Sequence, residues 1–100
     1  MTKHPKTQLS IVTEAVLERA LVRDVRERGA QIWIVGEVHG GSLDGERAGD
    51  WEADRTIELR VICDEAVADA IAAHVIETYA RHYAVVLGFS AVQVLRPERY

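Results

Sequence analysis

The stretch TIELRVICDEAVADAIAAHVIETY, residues 56–79, changes from the periodicity of a β-strand to that of an α-helix within a few residues. From Thr56 to Ile62, apolar and charged residues alternate, which is typical of a strand with one buried and one open face. Asp64 is a favourable helix N-cap. The apolar residues that follow recur three or four positions apart, at Val67, Ala68, Ile71, Val75 and Tyr79. The stretch therefore predicts a half-buried strand followed by an amphipathic helix.

An earlier stretch has the same order of strand and helix. QLSIV, residues 8–12, is rich in β-branched residues and predicts a short strand. Thr13 is the predicted N-cap of the first helix, and Glu14 is placed in its first turn. Gly29 directly follows a charged RER segment, so it predicts a C-terminal cap in the left-handed region.

Two further strands are predicted, and both are apolar on two faces. They are QIWIVGEV, residues 31–38, and AVVLGFSAVQVL, residues 84–95. The resulting order βαββαβ predicts an α+β, ferredoxin-like fold, a four-stranded antiparallel sheet with two helices on one face. The first and third strands are then central, and the two apolar strands form the edges. Because an exposed apolar edge promotes association, the pattern predicts an obligate oligomer.

Composition limits the kinds of protein that this chain can be. With 100 residues, 48% of them hydrophobic, it predicts a single domain over residues 8–100 after a flexible tail over residues 1–7. The net charge of -4 argues against a nucleic-acid-binding protein. A single cysteine, Cys63, suits a reducing compartment, so a cytoplasmic location is expected. The longest apolar runs fall short of the roughly 18 residues of a membrane span, so no direct membrane insertion is expected.

A long connector, residues 39–55, separates the second and third predicted strands. It holds four glycines and is strongly acidic, with a lone aromatic residue, Trp51. Such loops are usually functional or disordered, and composition leaves two interpretations open: a solvated excursion, or a loop that becomes ordered when a ligand binds. The start of the loop, HGGS, offers backbone N–H groups of Gly40 and Gly41 and the hydroxyl of Ser42 as a nest for an anion.

Other kinds of chemistry find little support. The four histidines lack the spacing of metal ligands on one helix face, and no nucleophile has a base beside it in sequence, so neither a metal site nor a catalytic residue is predicted. A phosphate-binding arginine after the first strand, as acylphosphatases have, is missing. RNA recognition on this topology would need aromatic residues on the central strands, and LSIV and IELRVI have none.

The chain resembles the PII signalling superfamily, most closely its SbtB-like and carboxysome-associated PII-like branch. The resembling stretches are LSIVTEAVLERALVRDVRERGAQIWIV (residues 9–35), EVHGG (residues 37–41), VICDEAV (residues 61–67) and HYAVVLGFSAVQVL (residues 82–95). Together they cover nearly all of the chain after Thr7.

The resemblance implies a non-enzymatic, homotrimeric regulator that binds an adenine nucleotide in each cleft between subunits. The connector would be the T-loop, whose conformation reports the bound ligand. AMP or ADP is expected rather than ATP, with cyclic AMP and bicarbonate as further candidate ligands. Expected partners are a bicarbonate transporter or a carboxysome-associated protein, contacted through the T-loop.

The resemblance also assigns nucleotide-binding residues. Gly40, Gly41 and Ser42 would bind phosphates at the T-loop base, and Ile62 would lie where backbone groups contact the adenine edge. Ala84 and Val85 correspond to the B-loop region. The arginines that would contact phosphates are Arg47, Arg96 and Arg99.

Several departures from the family pattern bear on the ligand. The glycine-rich B-loop with its phosphate-binding lysine is missing, which favours AMP, ADP or a cyclic nucleotide over a triphosphate. Glu98 stands where a second arginine is found, with Arg99 as its replacement, and Leu43 replaces an arginine for which Arg47 is the nearby substitute. The T-loop has no tyrosine, so uridylylation on that loop is excluded.

Two alternatives share the predicted topology. One is a CutA-like trimer that acts in metal tolerance or as a structural module, with His39 and Cys63 as its only credible metal ligands. The other is a regulatory domain of the ACT type that binds amino acids, which would usually be attached to an enzyme.

Overall fold

A computed structural model of the chain describes residues 1–41, 43 and 55–100. Its elements are β1 (His4–Glu14), a 3-10 turn (Ala15–Leu17), α1 (Glu18–Glu27), β2 (Trp33–Val38), β3 (Thr56–Cys63), α2 (Glu65–Tyr79), β4 (Val85–Val94) and a 3-10 turn (Pro97–Arg99). The strands form one antiparallel sheet in the order β2-β3-β1-β4. The ferredoxin-like fold and the central position of the first and third strands are confirmed.

The first strand is longer than predicted at its beginning. β1 starts at His4, which pairs with Val94, so the predicted flexible tail is wrong for residues 4–7. The backbone groups of β4 extend to Val94 and offer hydrogen-bond partners that the sequence pattern of a lead-in does not reveal. The Lys6 side chain, only 12% exposed, adds an ion pair of 2.7 Å to Asp64.

The end of β1 also differs from the prediction. Thr13 and Glu14, the predicted N-cap and first-turn residue of a helix, belong to the strand, and α1 begins only at Glu18. Thr13 is fully buried, and its hydroxyl donates a hydrogen bond of 2.7 Å to the carbonyl oxygen of Ala84. A tertiary partner just before β4 thus takes the hydroxyl that a local cap would have used.

The helix boundaries elsewhere agree better with the sequence. Gly29 has a φ of 108°, and its N–H donates to the Arg26 carbonyl oxygen, as expected for a left-handed C-terminal cap. Asp64 stands at the N-cap of α2 with extended backbone, but its carboxylate binds Lys6 and makes no capping hydrogen bond. Neither of the two α-helices in the described part of the chain is long and apolar enough to span a bilayer.

Both helices pack on one face of the sheet. The core joins alternate residues of the central strands to the apolar faces of the helices; its fully buried members include Leu9, Ile11, Leu21, Val25, Leu59, Ala68, Ile71 and Val75. The opposite face is covered by neither helix and carries Ser10, whose hydroxyl donates to Glu58 at 2.5 Å. The edge strands expose large apolar side chains: Ile34 on β2, and Val86 and Phe89 on β4. The predicted apolar edges are confirmed, and their burial in an oligomer stays a prediction.

Candidate functional site

The long loop leaves and re-enters the sheet at neighbouring positions. Val38, the last residue of β2, pairs with Thr56, the first residue of β3. Beside this pair, the Arg55 guanidinium lies 2.9 Å from the Glu37 carboxylate. Gly40 and Gly41 follow Val38 after one intervening residue, His39, and are exposed. The loop base is therefore held by a backbone ladder and by the ion pair between Glu37 and Arg55.

Part of the predicted phosphate nest lies outside the residues that the structure describes. Ser42 and Arg47 lie outside the described residues, as does Trp51. The nest is represented in the structure by Gly40 and Gly41 alone, so its role in binding an anion stays a prediction.

The predicted B-loop residues lie at the same end of the sheet as the loop base. Val85 pairs with Thr13, and Ala84 precedes it. The backbone of Ala84 is held on both sides: its carbonyl oxygen accepts from Thr13, and its N–H donates to the Glu14 carboxylate at 2.8 Å. The next residue, Ala15, donates its N–H to the Arg55 carbonyl oxygen at 2.9 Å.

We call Thr13, Glu14 and Ala15 together the β1 corner. It contacts both Ala84 and the residue at which the long loop ends, so these two segments share one support. A hollow of about 420 Å³ adjoins it, lined by Glu14, Ala15, Val16 and Arg55. The hollow presents one carboxylate and one guanidinium, and Val16 on its rim is 74% exposed.

Ile62 lies at the other end of the sheet, on the face that the helices leave uncovered. It pairs with Gln8 and faces a small cavity of about 90 Å³, which we call the Ile62 niche. The residues that line the niche are Gln8, Ile32, Trp33, Ile34, Arg60, Ile62 and Tyr100. Apolar walls with one amide and one guanidinium suit a flat, aromatic ligand with polar edges.

The C-terminal segment folds towards this niche. Tyr100 forms part of the lining, and Arg96 and Arg99 lie within a few residues of it. Both arginines are exposed, and Arg96 lies 3.7 Å from the carboxylate of Glu98. The segment therefore brings two of the predicted phosphate ligands to the end of the sheet that carries Ile62.

The predicted site residues form two groups within one chain. Gly40, Gly41, Ala84 and Val85 lie at the loop end, while Ile62, Arg96 and Arg99 lie at the niche end. The register places Thr56 opposite Glu14 and Ile62 opposite Gln8. Those two pairs are about 20 Å apart at roughly 3.3 Å per strand residue. A single chain therefore does not bring all of these residues to one small ligand.

Sequence reasoning missed Gln8, Arg60 and Tyr100 as niche residues. A signal was available for the first two, because polar residues at alternate positions of a half-buried strand mark its open face. No comparable pattern announces the position of Tyr100, which depends on the path of the chain after β4.

A buried polar cluster between the two helices was also missed. Asp24 is 2% exposed, accepts a hydrogen bond from the Tyr79 hydroxyl and forms an ion pair of 3.2 Å with Arg23. Nε2 of His74 lies 3.1 Å from the same carboxylate, without the alignment of a hydrogen bond, and its Nδ1 lies 2.8 Å from Arg28. The sequence did hold a signal, since Asp24 falls in the buried stripe of α1 between Leu21 and Val25.

Burial is the largest influence on Asp24 and by itself raises the pKa of its carboxyl group. The contacts with Tyr79, His74 and Arg23 outweigh it, so the pKa lies below its ordinary value. Burial and the hydrogen bond to Asp24 raise the pKa of the Tyr79 hydroxyl. The cluster joins α1 to α2 through the contacts of Asp24 with Tyr79 and His74.

The structure argues against the metal site expected of a CutA-like protein, with His39 and Cys63 as ligands. His39 follows β2 at the loop end, whereas Cys63 pairs with Thr7 at the niche end, so the two ligands expected of a CutA-like protein are far apart. Burial also raises the pKa of the Cys63 thiol, which disfavours the thiolate that binds metals. Over residues 1–41, 43 and 55–100, no three His, Cys, Asp or Glu side chains are grouped as metal ligands.

A family model described as "Nitrogen regulatory protein P-II" matches residues 6–99. The chain belongs to the P-II family. It is therefore a PII-like regulator, and the CutA-like alternative finds no support in this match. No curated protein matches the chain significantly.

Solved structures agree with the family. A crystal structure described as a PII-like signalling protein of Thermus thermophilus is 36% identical, with a TM-score of 0.84 over 100% of this chain and 99% of that one. CPII of Thiomonas intermedia, bound to ADP, AMP and acetate, is 15% identical, with a TM-score of 0.85 over 100% and 98% of the two chains. CPII bound to ADP and bicarbonate is 16% identical, with a TM-score of 0.82 over 98% and 96%. At this identity, the similarity to CPII shows the fold alone.

Proposed function

We propose that this protein is a homotrimeric, cytoplasmic, non-enzymatic regulator that binds AMP or ADP between subunits and signals through the loop of residues 39–55. Its setting would be inorganic-carbon metabolism. The observation that carries the proposal is the division of the candidate residues into two groups at opposite ends of the sheet, each of which offers half of a nucleotide site.

The Ile62 niche supplies the half for the base. Ile32, Ile34 and Ile62 offer apolar contact to the faces of a purine, while Gln8 and Arg60 offer hydrogen bonds to its edge. The niche is smaller than a purine requires, so further walls would come from a neighbouring subunit.

The loop end of a neighbouring subunit supplies the half for the phosphates. Backbone N–H groups at Gly40 and Gly41 would contact the phosphates there, and Arg96 and Arg99 would approach from the chain that holds the base. This division requires association between subunits, and the sheet face left uncovered by the helices, with exposed Ile34 and Val86, supplies an apolar surface for it.

A link to inorganic carbon rests on two observations. CPII, which shares the fold, is described with bound ADP and bicarbonate. In this chain, the hollow beside the β1 corner holds Arg55, a guanidinium that suits a small planar anion such as bicarbonate. Bicarbonate would thus bind at the loop base, beside the nucleotide phosphates.

Signalling would follow from ligand-dependent loop conformations. Phosphates at the loop base stabilise the loop conformation that presents their N–H donors, so a bound nucleotide shifts the population of loop states. A tenfold difference in affinity between two states corresponds to about 1.4 kcal/mol, which one or two hydrogen bonds to an anion supply. A bicarbonate transporter or a carboxysome-associated protein would bind one of these states.

Isothermal titration with AMP, ADP, ATP and cyclic AMP, each with and without bicarbonate, tests the proposal. Micromolar binding of AMP or ADP is the expected result. Arg96→Ala and Arg99→Ala should each weaken binding about tenfold. Arg19→Ala, at an exposed position of α1 that is part of neither the lining of the Ile62 niche nor that of the hollow, is a control for the loss of a positive charge. Absence of heat for all four nucleotides would overturn the nucleotide assignment.

Two further measurements separate assembly from loop response. Sedimentation equilibrium should give three times the 11.2 kDa chain mass, and a monomer would contradict a site shared between subunits. Trp33→Phe leaves Trp51 as the sole tryptophan, so its fluorescence reports on the loop. Nucleotide binding without a change in this fluorescence would contradict signalling through residues 39–55.

A further inference from the structure

We propose that Glu14 determines how many phosphates this site accepts, because its carboxylate already occupies an anion-binding N–H at Ala84. The inference rests on the proposed function, in which the nucleotide phosphates lie at this end of the sheet. It assigns a specificity role to a residue that the sequence placed only in the first turn of a helix.

The geometry at Ala84 is well defined. The Glu14 carboxylate accepts the Ala84 N–H at 2.8 Å, while Thr13 holds the Ala84 carbonyl oxygen at 2.7 Å. Thr13 thus holds the peptide group that follows Ala84 and Glu14 holds the one that precedes it, so the backbone is restrained on both sides of the Ala84 Cα. One N–H makes a strong hydrogen bond to one anion at a time, so a phosphate must displace the carboxylate or bind without this donor.

The other donor beside the hollow is occupied in the same way. Arg55 pairs with the Glu37 carboxylate at 2.9 Å, but both side chains are largely exposed, at 77% and 60%. An exposed ion pair contributes little, so a phosphate exchanges readily with Glu37. Glu14 is less exposed than Glu37 and is tied to a backbone group, so it is the harder of the two carboxylates to displace.

The consequence depends on the length of the phosphate chain. A terminal phosphate that extends towards Ala84 meets a carboxylate within the hollow, and like charges at short range repel each other. AMP has a single phosphate close to its ribose and does not extend as far. The carboxylate therefore selects for nucleotides with few phosphates. This selection acts in the same direction as the lack of a glycine-rich B-loop, which also disfavours a triphosphate.

Glu14→Gln provides the test, because its side-chain carbonyl oxygen still accepts the Ala84 N–H while the charge is lost. Isothermal titration with AMP, ADP and ATP should show that the affinity for ATP relative to AMP rises about tenfold, or 1.4 kcal/mol. Glu77→Gln, an exposed residue on α2, is the matched control for net charge and should leave the ratio unchanged. Thermal denaturation monitors the fold of each variant.

The outcomes distinguish the inference from the function on which it rests. If wild type and Glu14→Gln bind AMP and ATP with the same relative affinity, the role of Glu14 is overturned and nucleotide binding stands. If no variant binds any nucleotide, the proposed function itself fails. Glu14→Ala, which frees the N–H as well as removing the charge, should raise the ratio at least as far. A ratio that stays at the wild-type value in Glu14→Ala would also overturn the inference.

Discussion

Two carboxylates with internal partners, Asp24 and Glu14, differ in where those partners lie. Asp24 is 2% exposed and is enclosed by Tyr79, Arg23 and His74 between the two helices. Glu14 is partly exposed and binds one backbone N–H beside a hollow. Burial makes the contacts of Asp24 costly to break, because an unpaired buried charge destabilises the fold. Access to solvent leaves the second contact open to exchange with another anion.

The largest expected effect comes from removal of the buried carboxylate. Asp24→Ala should lower the free energy of unfolding by about 3 kcal/mol, because it leaves Tyr79 and His74 without their shared partner. Urea denaturation measures this change. Asp69→Ala on the exposed face of α2 is the control and should change stability by less than about 0.5 kcal/mol. Equal effects at the two positions would show that the cluster does not stabilise the fold.

A smaller loss is expected when only one partner of Asp24 is changed. Tyr79→Phe removes the hydroxyl that donates to Asp24 and keeps the ring in the core. Hydrogen bonds to charged groups contribute about 1.5–3 kcal/mol, so a loss of about 2 kcal/mol is expected in urea denaturation. Tyr83→Phe, which removes from an exposed tyrosine a hydroxyl that has no hydrogen bond to the described residues, is the matched control. A loss as small as that of the control would contradict the hydrogen bond.

Acid should reveal the same cluster through its pH dependence. The folded-state pKa of Asp24 lies below its unfolded value of about 3.9, so its contribution is present above that pH. The contribution is lost as pH falls from that value through the lower folded-state pKa. Asp24→Asn should therefore flatten the acid limb of a plot of stability against pH, and an unchanged limb would contradict the lowered pKa.

The smallest effect on stability is expected at Glu14. Glu14→Gln keeps an acceptor for the Ala84 N–H, so its free energy of unfolding should stay within about 0.5 kcal/mol of wild type. Urea denaturation measures this change. If Glu14→Gln lost several kcal/mol of unfolding free energy, Glu14 would be a structural residue like Asp24, and the difference drawn between the two carboxylates would be wrong.

Periodicity was sufficient for most of the fold. The alternation from Thr56 to Ile62, the helical spacing after Asp64 and the glycine at position 29 are local signals, and the structure confirms the elements that they predict. The apolar edge strands also follow from the pattern. Strand order then follows from general rules of connection, without knowledge of any side-chain contact.

The sequence failed where a distant partner outcompetes a local one. Thr13 is a good cap by local rules, yet it donates to Ala84, and Asp64 binds Lys6 across the chain. The candidate site is less predictable still, because Tyr100 reaches the niche only through the path of the C-terminal segment. The assignment of Ala84 rested on resemblance alone, and the carboxylate bound to its N–H is a tertiary contact that residue type does not reveal.

The closed base of the long loop bears on how this protein changes over evolutionary time. Val38 and Thr56 are ladder partners, and Arg55 is tied to Glu37 and Ala15, so the entry and exit of the loop are fixed by the sheet. Each doubling of loop length adds only about 0.6 kcal/mol of closure entropy. Insertions, deletions and substitutions between these anchors therefore change the free energy of unfolding only slightly. The segment between the anchors can thus change in length and sequence while the core and the strand register stay as they are.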